Sequence, residues 1–127
     1  MQFQQINTQG GQYDIIRACT KAAQEMRSPI ILAHYVSTGA YSGNDWFVEN
    51  AKWCASKVDV PVSIHLDHGD GFPICMEALR LGFTSIMIDG STKPIEENAK
   101  MNKCVLKSCK NIFNVPVEAE IGETFYG

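Results

Sequence analysis

Short apolar runs rich in Val and Ile alternate along this chain with longer amphipathic stretches. The runs are Phe3 to Ile6, Pro29 to His34, Val60 to Leu66, Thr84 to Ile88 and Val115 to Ile121. The last four are almost continuously apolar, as strands covered on both faces of a parallel sheet are. Between them the apolar positions recur at helical spacing. Ile15, Ile16, Cys19, Ala23 and Met26 form one stripe, and Phe47, Ala51, Cys54, Ala55 and Val58 a second, with Asn44 or Asp45 available as its N-cap. A third helix is predicted from about Pro73 to Leu81, stopped by Gly82 in a left-handed conformation. A fourth starts near Pro94, with Glu96 and Glu97 in its first turn and Lys107 and Lys110 near its end, each at the end the helix dipole favours. Its inward positions are read as Ile95, Ala99, Leu106 and Cys109.

The order is β-α-β-α-β-α-β-α-β, which implies parallel strands joined by right-handed crossovers. One βα unit per roughly 25 residues suits an eight-fold βα barrel, of which 127 residues would supply about five strands. The predicted fold class is therefore α/β, a partial TIM (β/α)8 barrel made of the first five parallel strands and their helices, with residues 1–127 as one N-terminal segment. A complete five-stranded doubly wound sheet competes with it. That fold often has a Gly-rich first turn, and NTQGGQ lacks the GxGxxG spacing.

Composition narrows the function. Lys+Arg is 11 against Asp+Glu 14, a net charge of -3 with no basic run, which argues against nucleic-acid and anionic-membrane partners. No apolar stretch approaches the ~20 residues that span a bilayer, and the polar stretch Met1 to Gly10 does not read as a secretory signal. The five cysteines (Cys19, Cys54, Cys75, Cys104 and Cys109) include no CxxC, so reduced core thiols in a cytoplasmic protein are expected.

In both architectures chemistry gathers at the C-terminal ends of the strands. There the chain places His34, then His65-Leu66-Asp67-His68-Gly69-Asp70, then Asp89-Gly90-Ser91, then Glu118-Ala119-Glu120. All three histidines are thus expected at one edge. Residues 65 and 67 share a strand face, and His68 is expected to begin the loop. Imidazole is the commonest zinc ligand, and a neighbouring carboxylate can act as general acid or base. His68 reads as a metal ligand, and His65, inside the strand, as a structurally hydrogen-bonded histidine. Asp89 fits either a turn former or a site residue. Two inward carboxylates, Glu118 and Glu120, need a cation or hydrogen-bond donors unless their strand is an exposed edge. Lys93 follows a strand end but reads as a solvated helix-start lysine rather than a Schiff-base amine. Trp46 and Trp53, seven apart, read as a packing face.

The segments VPVSIHLDHGD (60 to 70), GFTSIMIDGS (82 to 91) and VPVEAEIG (115 to 122) resemble the class II, zinc-dependent fructose-bisphosphate aldolases and their tagatose-bisphosphate relatives, in order and spacing as well as identity. The resemblance implies a TIM barrel that cleaves a phosphorylated ketose to dihydroxyacetone phosphate and an aldehyde, in the sugar-phosphate chemistry of glycolysis, with Zn2+ as Lewis acid. By motif, Asp67 would be the acid/base on the substrate C4 hydroxyl and His68 a zinc ligand. Asp89 and Glu120 would lie at a secondary or alternate metal position, and Ser37, in STGA, would contact substrate.

The chain departs from the family pattern at Gln4 and Gln5, where an asparagine is usual, and at Phe125 and Tyr126, where small residues are. The family's two other zinc histidines and its phosphate loops belong to strands six to eight. Several things are therefore expected of the 127-residue chain alone: weak zinc binding, no aldol cleavage, and homo-oligomerisation through open sheet edges and apolar barrel-facing residues such as Ile64, Ile86 and Ile88. The competing expectation is a non-catalytic partial-barrel module that assembles with another chain.

Overall fold

A computed structural model describes residues 4–7 and 13–122 of the chain. Its five strands are β1 (Gln4–Asn7), β2 (Ile30–Tyr35), β3 (Val62–Gly69), β4 (Ser85–Ile88) and β5 (Val117–Ala119). They form one sheet in the order β1-β2-β3-β4-β5, and every neighbouring pair is parallel. The helices are α1 (Tyr13–Glu25), α2 (Val36–Ser42), α3 (Asn44–Ala55), α4 (Phe72–Leu81) and α5 (Ile95–Ser108), the last extended by a π-helical turn over Cys109–Phe113. Strand order follows chain order without reversal, so the sheet has no topological switch point and is not doubly wound. Sequential winding is the arrangement of a barrel segment.

Among the described residues, helices cover one face of the sheet. Side chains of a strand alternate between faces, and Ile30, Leu32, Ile64, Leu66, Ile86 and Ile88 all join one core cluster with Ile16, Phe47, Leu79 and Val105 of the helices. Ile64, Ile86 and Ile88 therefore face the helix layer and not the barrel interior, which corrects the expectation drawn above. On the opposite face Ile31, His65, Ser85 and Glu118 line an open cavity of about 230 Å³. That inner face mixes the polar side chains of His65, Ser85 and Glu118 with apolar Ile31.

Two helices keep the predicted period but shift in phase. In α1 the buried positions are Ile16, Thr20 and Ala23, while Met26, beyond the helix end, is 78% exposed. In α5 they are Asn98 and Val105, followed by Cys109. Ile95 is 65% exposed, and Ala99 and Leu106 also face outward. The phase of α5 follows from a hydrogen bond, since Asn98 Nδ2 donates to the Glu120 carbonyl at 2.8 Å and must face the sheet. Helix α2 has no counterpart in the hydrophobic pattern. It turns the chain back before Gly43 (φ 87°), which caps α3 in place of Asn44 or Asp45. Asp45 instead accepts the Trp46 N–H at 2.8 Å. Helix α4 ends as predicted, with Gly82 at φ 104° donating its N–H to Ala78 O. Trp46 and Trp53 are half-exposed rather than a packing face. Trp53 meets the Tyr13 ring at 5.7 Å and lies under the Lys57 ammonium at 5.3 Å. The cysteines are free thiols, and burial pushes Cys75 up to about 12. The Phe125-Tyr126 tail and Phe3 lie outside the described residues.

His34 does not reach the functional edge. Its ring stacks on Phe47 at 4.0 Å and 9° within the helix-side core, with neither ring nitrogen hydrogen-bonded. Burial pushes its pKa down to about 4 from an ordinary 6.5, because the imidazolium cannot be solvated there. The unfolded chain thus binds this proton more readily than the folded one. Stability is complete above the unfolded value and falls as pH drops from 6.5 towards 4, by on the order of 3 kcal/mol if the full difference is realised. We expect urea midpoints to decline across that window and the decline to flatten in His34→Leu. A midpoint independent of pH between 6.5 and 4 in the parent chain would refute this.

Candidate functional site

Two consecutive residues of one strand normally point to opposite faces. At the end of β3 this rule is broken. Leu66 pairs with Ile86 and Gly69 with Ile88, so three steps along β3 match two along β4. The extra residue makes a β-bulge. His68 takes φ 52°, a left-handed conformation rare outside glycine. The bulge turns the His68 side chain to the side of the sheet that already carries Asp67, with Nε2 3.9 Å from Asp67 Oδ1. His68 thus lies inside the strand and not in the following loop. Gly69 closes the bulge, where a Cβ would meet the Met87 carbonyl at 2.7 Å and Cys75 Sγ at 3.0 Å. The ladder resumes with Asp89 N–H donating to Gly69 O at 2.8 Å.

The next two strands deliver the partners. Asp89, directly after β4, accepts the Ser91 N–H on Oδ1 at 2.9 Å and His68 Nδ1–H on Oδ2 at 2.7 Å. The carboxylate can only accept, which assigns the proton to Nδ1. Glu120, just beyond β5, brings Oε2 to 3.6 Å from the same nitrogen, and its backbone is held by Asn98. His68, Asp89 and Glu120 each offer one ligand atom, and these atoms all lie within 4.8 Å of one another.

The electrostatics follow from this packing. The Asp89 hydrogen bond raises the His68 pKa, burial opposes it, and Asp67, Asp89 and Glu120 add attraction for the proton. Burial would raise Asp89, but hydrogen bonds from Ser91 and His68 outweigh it and the net shift is downward. The set consists of one imidazole nitrogen and two carboxylate oxygens, all half-buried. It fits a divalent cation with bonds of about 2 Å, because small side-chain adjustments bring such separated atoms around one ion and leave positions open. Asp67, mostly buried beside His68, can exchange a proton with whatever occupies those positions.

The structure therefore brings together Asp67, His68, Asp89 and Glu120. Ser37 sits exposed at the start of α2, at the same sheet edge, and none of the hydrogen bonds or ion pairs given above involves it. His34 is turned away, as described. His65 lies one layer deeper on the inner face, hydrogen-bonded through Nδ1 to Ser85 Oγ at 2.6 Å, consistent with a structural role. Lys93 forms an i,i+4 pair with Glu97 at 3.3 Å, as a surface lysine does. Two contributors were not read from the sequence. Tyr35, the last residue of β2, sets its ring edge-on to His68 at 5.6 Å. Its position at a strand end is the available signal, hidden because the apolar run stops at His34. Asn98 gave no signal beyond being a polar residue in a helix.

The fructose-bisphosphate aldolase class-II family profile matches residues 5–126. A fructose-bisphosphate aldolase of Thermus caldophilus is 40% identical over 110 residues, covering 86% of this chain and 35% of the relative. One from Staphylococcus aureus strain Mu50 is 40% identical over 122 residues, covering 88% and 42%. Among solved structures, the YdjI aldolase of Escherichia coli K12 superposes with a TM-score of 0.80 at 28% identity, covering 94% of this chain and 43% of that one. The chain thus spans about two fifths of the length of the proteins it matches.

If Asp89 holds the His68 proton, NMR titration of the metal-free chain will give His68 a pKa above the ordinary histidine value, and Asp89→Asn will lower it. A His68 pKa unmoved by that substitution would show that the 2.7 Å contact does not exist in solution.

Proposed function

Because this chain belongs to the class-II fructose-bisphosphate aldolase family, we propose that it carries the acid/base group and part of the metal site of a lyase. That lyase cleaves a phosphorylated ketose, fructose- or tagatose-bisphosphate-like, to dihydroxyacetone phosphate and an aldehyde. The observation that carries this reading is the convergence of His68, Asp89 and Glu120, from three successive strands, beside Asp67. In cleavage the Asp67 carboxylate takes the proton of the C4 hydroxyl as the C3–C4 bond breaks and its electron pair passes to C3; in condensation it returns that proton. His68 offers an imidazole nitrogen to Zn2+, and Asp89 and Glu120 offer oxygens at the same or an alternate position. Zinc, when bound, supplies Lewis acidity toward the ketone oxygen. Ser37, exposed at the start of α2, would contact substrate in this reading.

The five strands, residues 1–127, form the N-terminal part of the barrel in this reading. Homo-oligomerisation is favoured because, within the described sheet, β1 and β5 each pair on one side only. No helix of the described residues is long and apolar enough to cross a membrane, and the free cysteines suit a cytoplasmic setting.

The reading is tested in a chimera in which this chain replaces the matching part of the Staphylococcus aureus relative. We expect triose phosphate release that a chelator abolishes, and a loss of about 10²- to 10⁴-fold in Asp67→Ala. A folded, zinc-loaded chimera without turnover would favour a non-catalytic module instead. Turnover that resists chelator but disappears in Lys93→Ala would replace zinc by Schiff-base chemistry.

The 127-residue chain alone has one imidazole where structural and catalytic zinc sites gather three or four well-placed ligands. Calorimetry is therefore expected to give weak zinc binding, abolished by Asp89→Asn. A sub-micromolar one-to-one complex would contradict this and point to a ligand set larger than His68, Asp89 and Glu120.

A further inference from the structure

Below the cluster of His68, Asp89 and Glu120 lies a second polar layer, built from the same three strands. His65 of β3, Ser85 of β4 and Glu118, one residue into β5, face the open inner side of the sheet and line its cavity. His65 is the only one of the three that touches both of the others. Its Nδ1 is 2.6 Å from Ser85 Oγ. Its Nε2 is 3.5 Å from Glu118 Oε2, an electrostatic contact longer than a hydrogen bond, and has no hydrogen-bond partner. The ring is 4% exposed. A carboxylate can only accept, so the favourable tautomer carries its proton on Nε2, directed at Glu118, and receives the Ser85 hydroxyl proton at Nδ1.

That chain of contacts crosses three strands just below the point where the β3–β4 register shifts, at the paired residues His65 and Ser85. Between β3 and β4 the register is regular at His65–Ser85 and Leu66–Ile86 and shifts in the next step, between Leu66 and Gly69. Strand β5 is three residues long and lies at the edge of the described sheet. Glu118 stands two residues before Glu120, and Ser85 four before Asp89. Whatever fixes His65 against Ser85 and Glu118 thereby fixes where Asp89 and Glu120 stand relative to His68.

We propose that His65 is a positioning residue. Its hydrogen bond to Ser85 and its electrostatic contact with Glu118 help to hold β4 and β5 where the Asp89 and Glu120 carboxylates meet His68. The proposal rests on the aldolase reading for its functional meaning, but the alignment it describes exists without metal. Outer partners that orient a ligand set commonly change metal affinity by about 10- to 100-fold when removed.

The test reads the tautomer of neutral His68 from its imidazole ¹⁵N shifts in the metal-free 127-residue chain, at pH above its titration. Ser85→Ala and Glu118→Leu each remove one arm, and both sites tolerate change better than the fully enclosed His65. In the parent chain we expect the Nδ1–H tautomer that the 2.7 Å Asp89 contact requires. In both variants and in His65→Leu the population should shift towards Nε2–H. Glu118→Gln, which keeps an oxygen within the same reach of His65 Nε2–H but not the charge, should shift the tautomer less than Glu118→Leu. Leu79→Ala, a core cavity in α4 away from the layer, should lower stability and leave the His68 tautomer unchanged. Parent-like His68 spectra in both Ser85→Ala and Glu118→Leu would overturn the proposal. So would a tautomer shift in Leu79→Ala as large as theirs, which would make the effect general loosening. Zinc titration of the parent chain is read separately. A parent chain that takes no zinc would count against the metal reading while leaving the positioning result to stand or fall on the spectra.

Discussion

The candidate site depends on Asp67 and His68 reaching the same side of one strand. A regular strand forbids this, because adjacent side chains alternate between faces. The chain meets the requirement with one extra residue in β3 and a left-handed backbone at His68. A left-handed histidine is strained, and such strain persists only where the surroundings enforce it. Here the Asp89 hydrogen bond, the close passage of Gly69 under the Met87 carbonyl and the resumed ladder at Asp89 N–H enforce it together. If the bulge were removed, His68 would turn into the helix-side core among Leu66 and Ile88. It would then have no acceptor, and the two carboxylates would lose their common partner.

The same constraint bears on the polar side chains of the sheet's inner face. Four side chains that prefer charge or hydrogen bonds, His65, Glu118, Asp89 and Glu120, lie on or at the rim of this face. Asp89 and Glu120 are partly buried, where an ionised group needs compensating partners, whereas Glu118 reaches solvent. The histidine contacts of Asp89, Glu120 and Glu118 all cross between strands, so they depend on the correct register. The apolar positions are concentrated on the other face, where they fill the helix layer. One face therefore supplies cohesion and the other supplies chemistry.

Much of this was legible in the amino-acid order. Alternating apolar runs and amphipathic stretches determine the five parallel strands and most of the helices, because the period of burial is set by backbone geometry and needs no partner to be known. The HLDHG and VEAEIG motifs, with the Asp-Gly-Ser turn between them, likewise mark Asp67, His68, Asp89 and Glu120, since a parallel strand leaves only one end for chemistry. Three matters were decided by tertiary structure. The stripe of α5 was settled by Asn98 bonding the Glu120 carbonyl, a long-range contact that overrode the more apolar stripe. The roles of the three histidines diverged although all lie near strand ends. His34 and His65 face opposite sides of the sheet, and a bulge invisible in the residue order re-aimed His68. Which face of the sheet was core could not follow from period alone, because near-continuous apolar runs look alike from both sides. It became fixed only when the helices closed over Ile64, Ile86 and Ile88 and left His65, Ser85 and Glu118 on the open side.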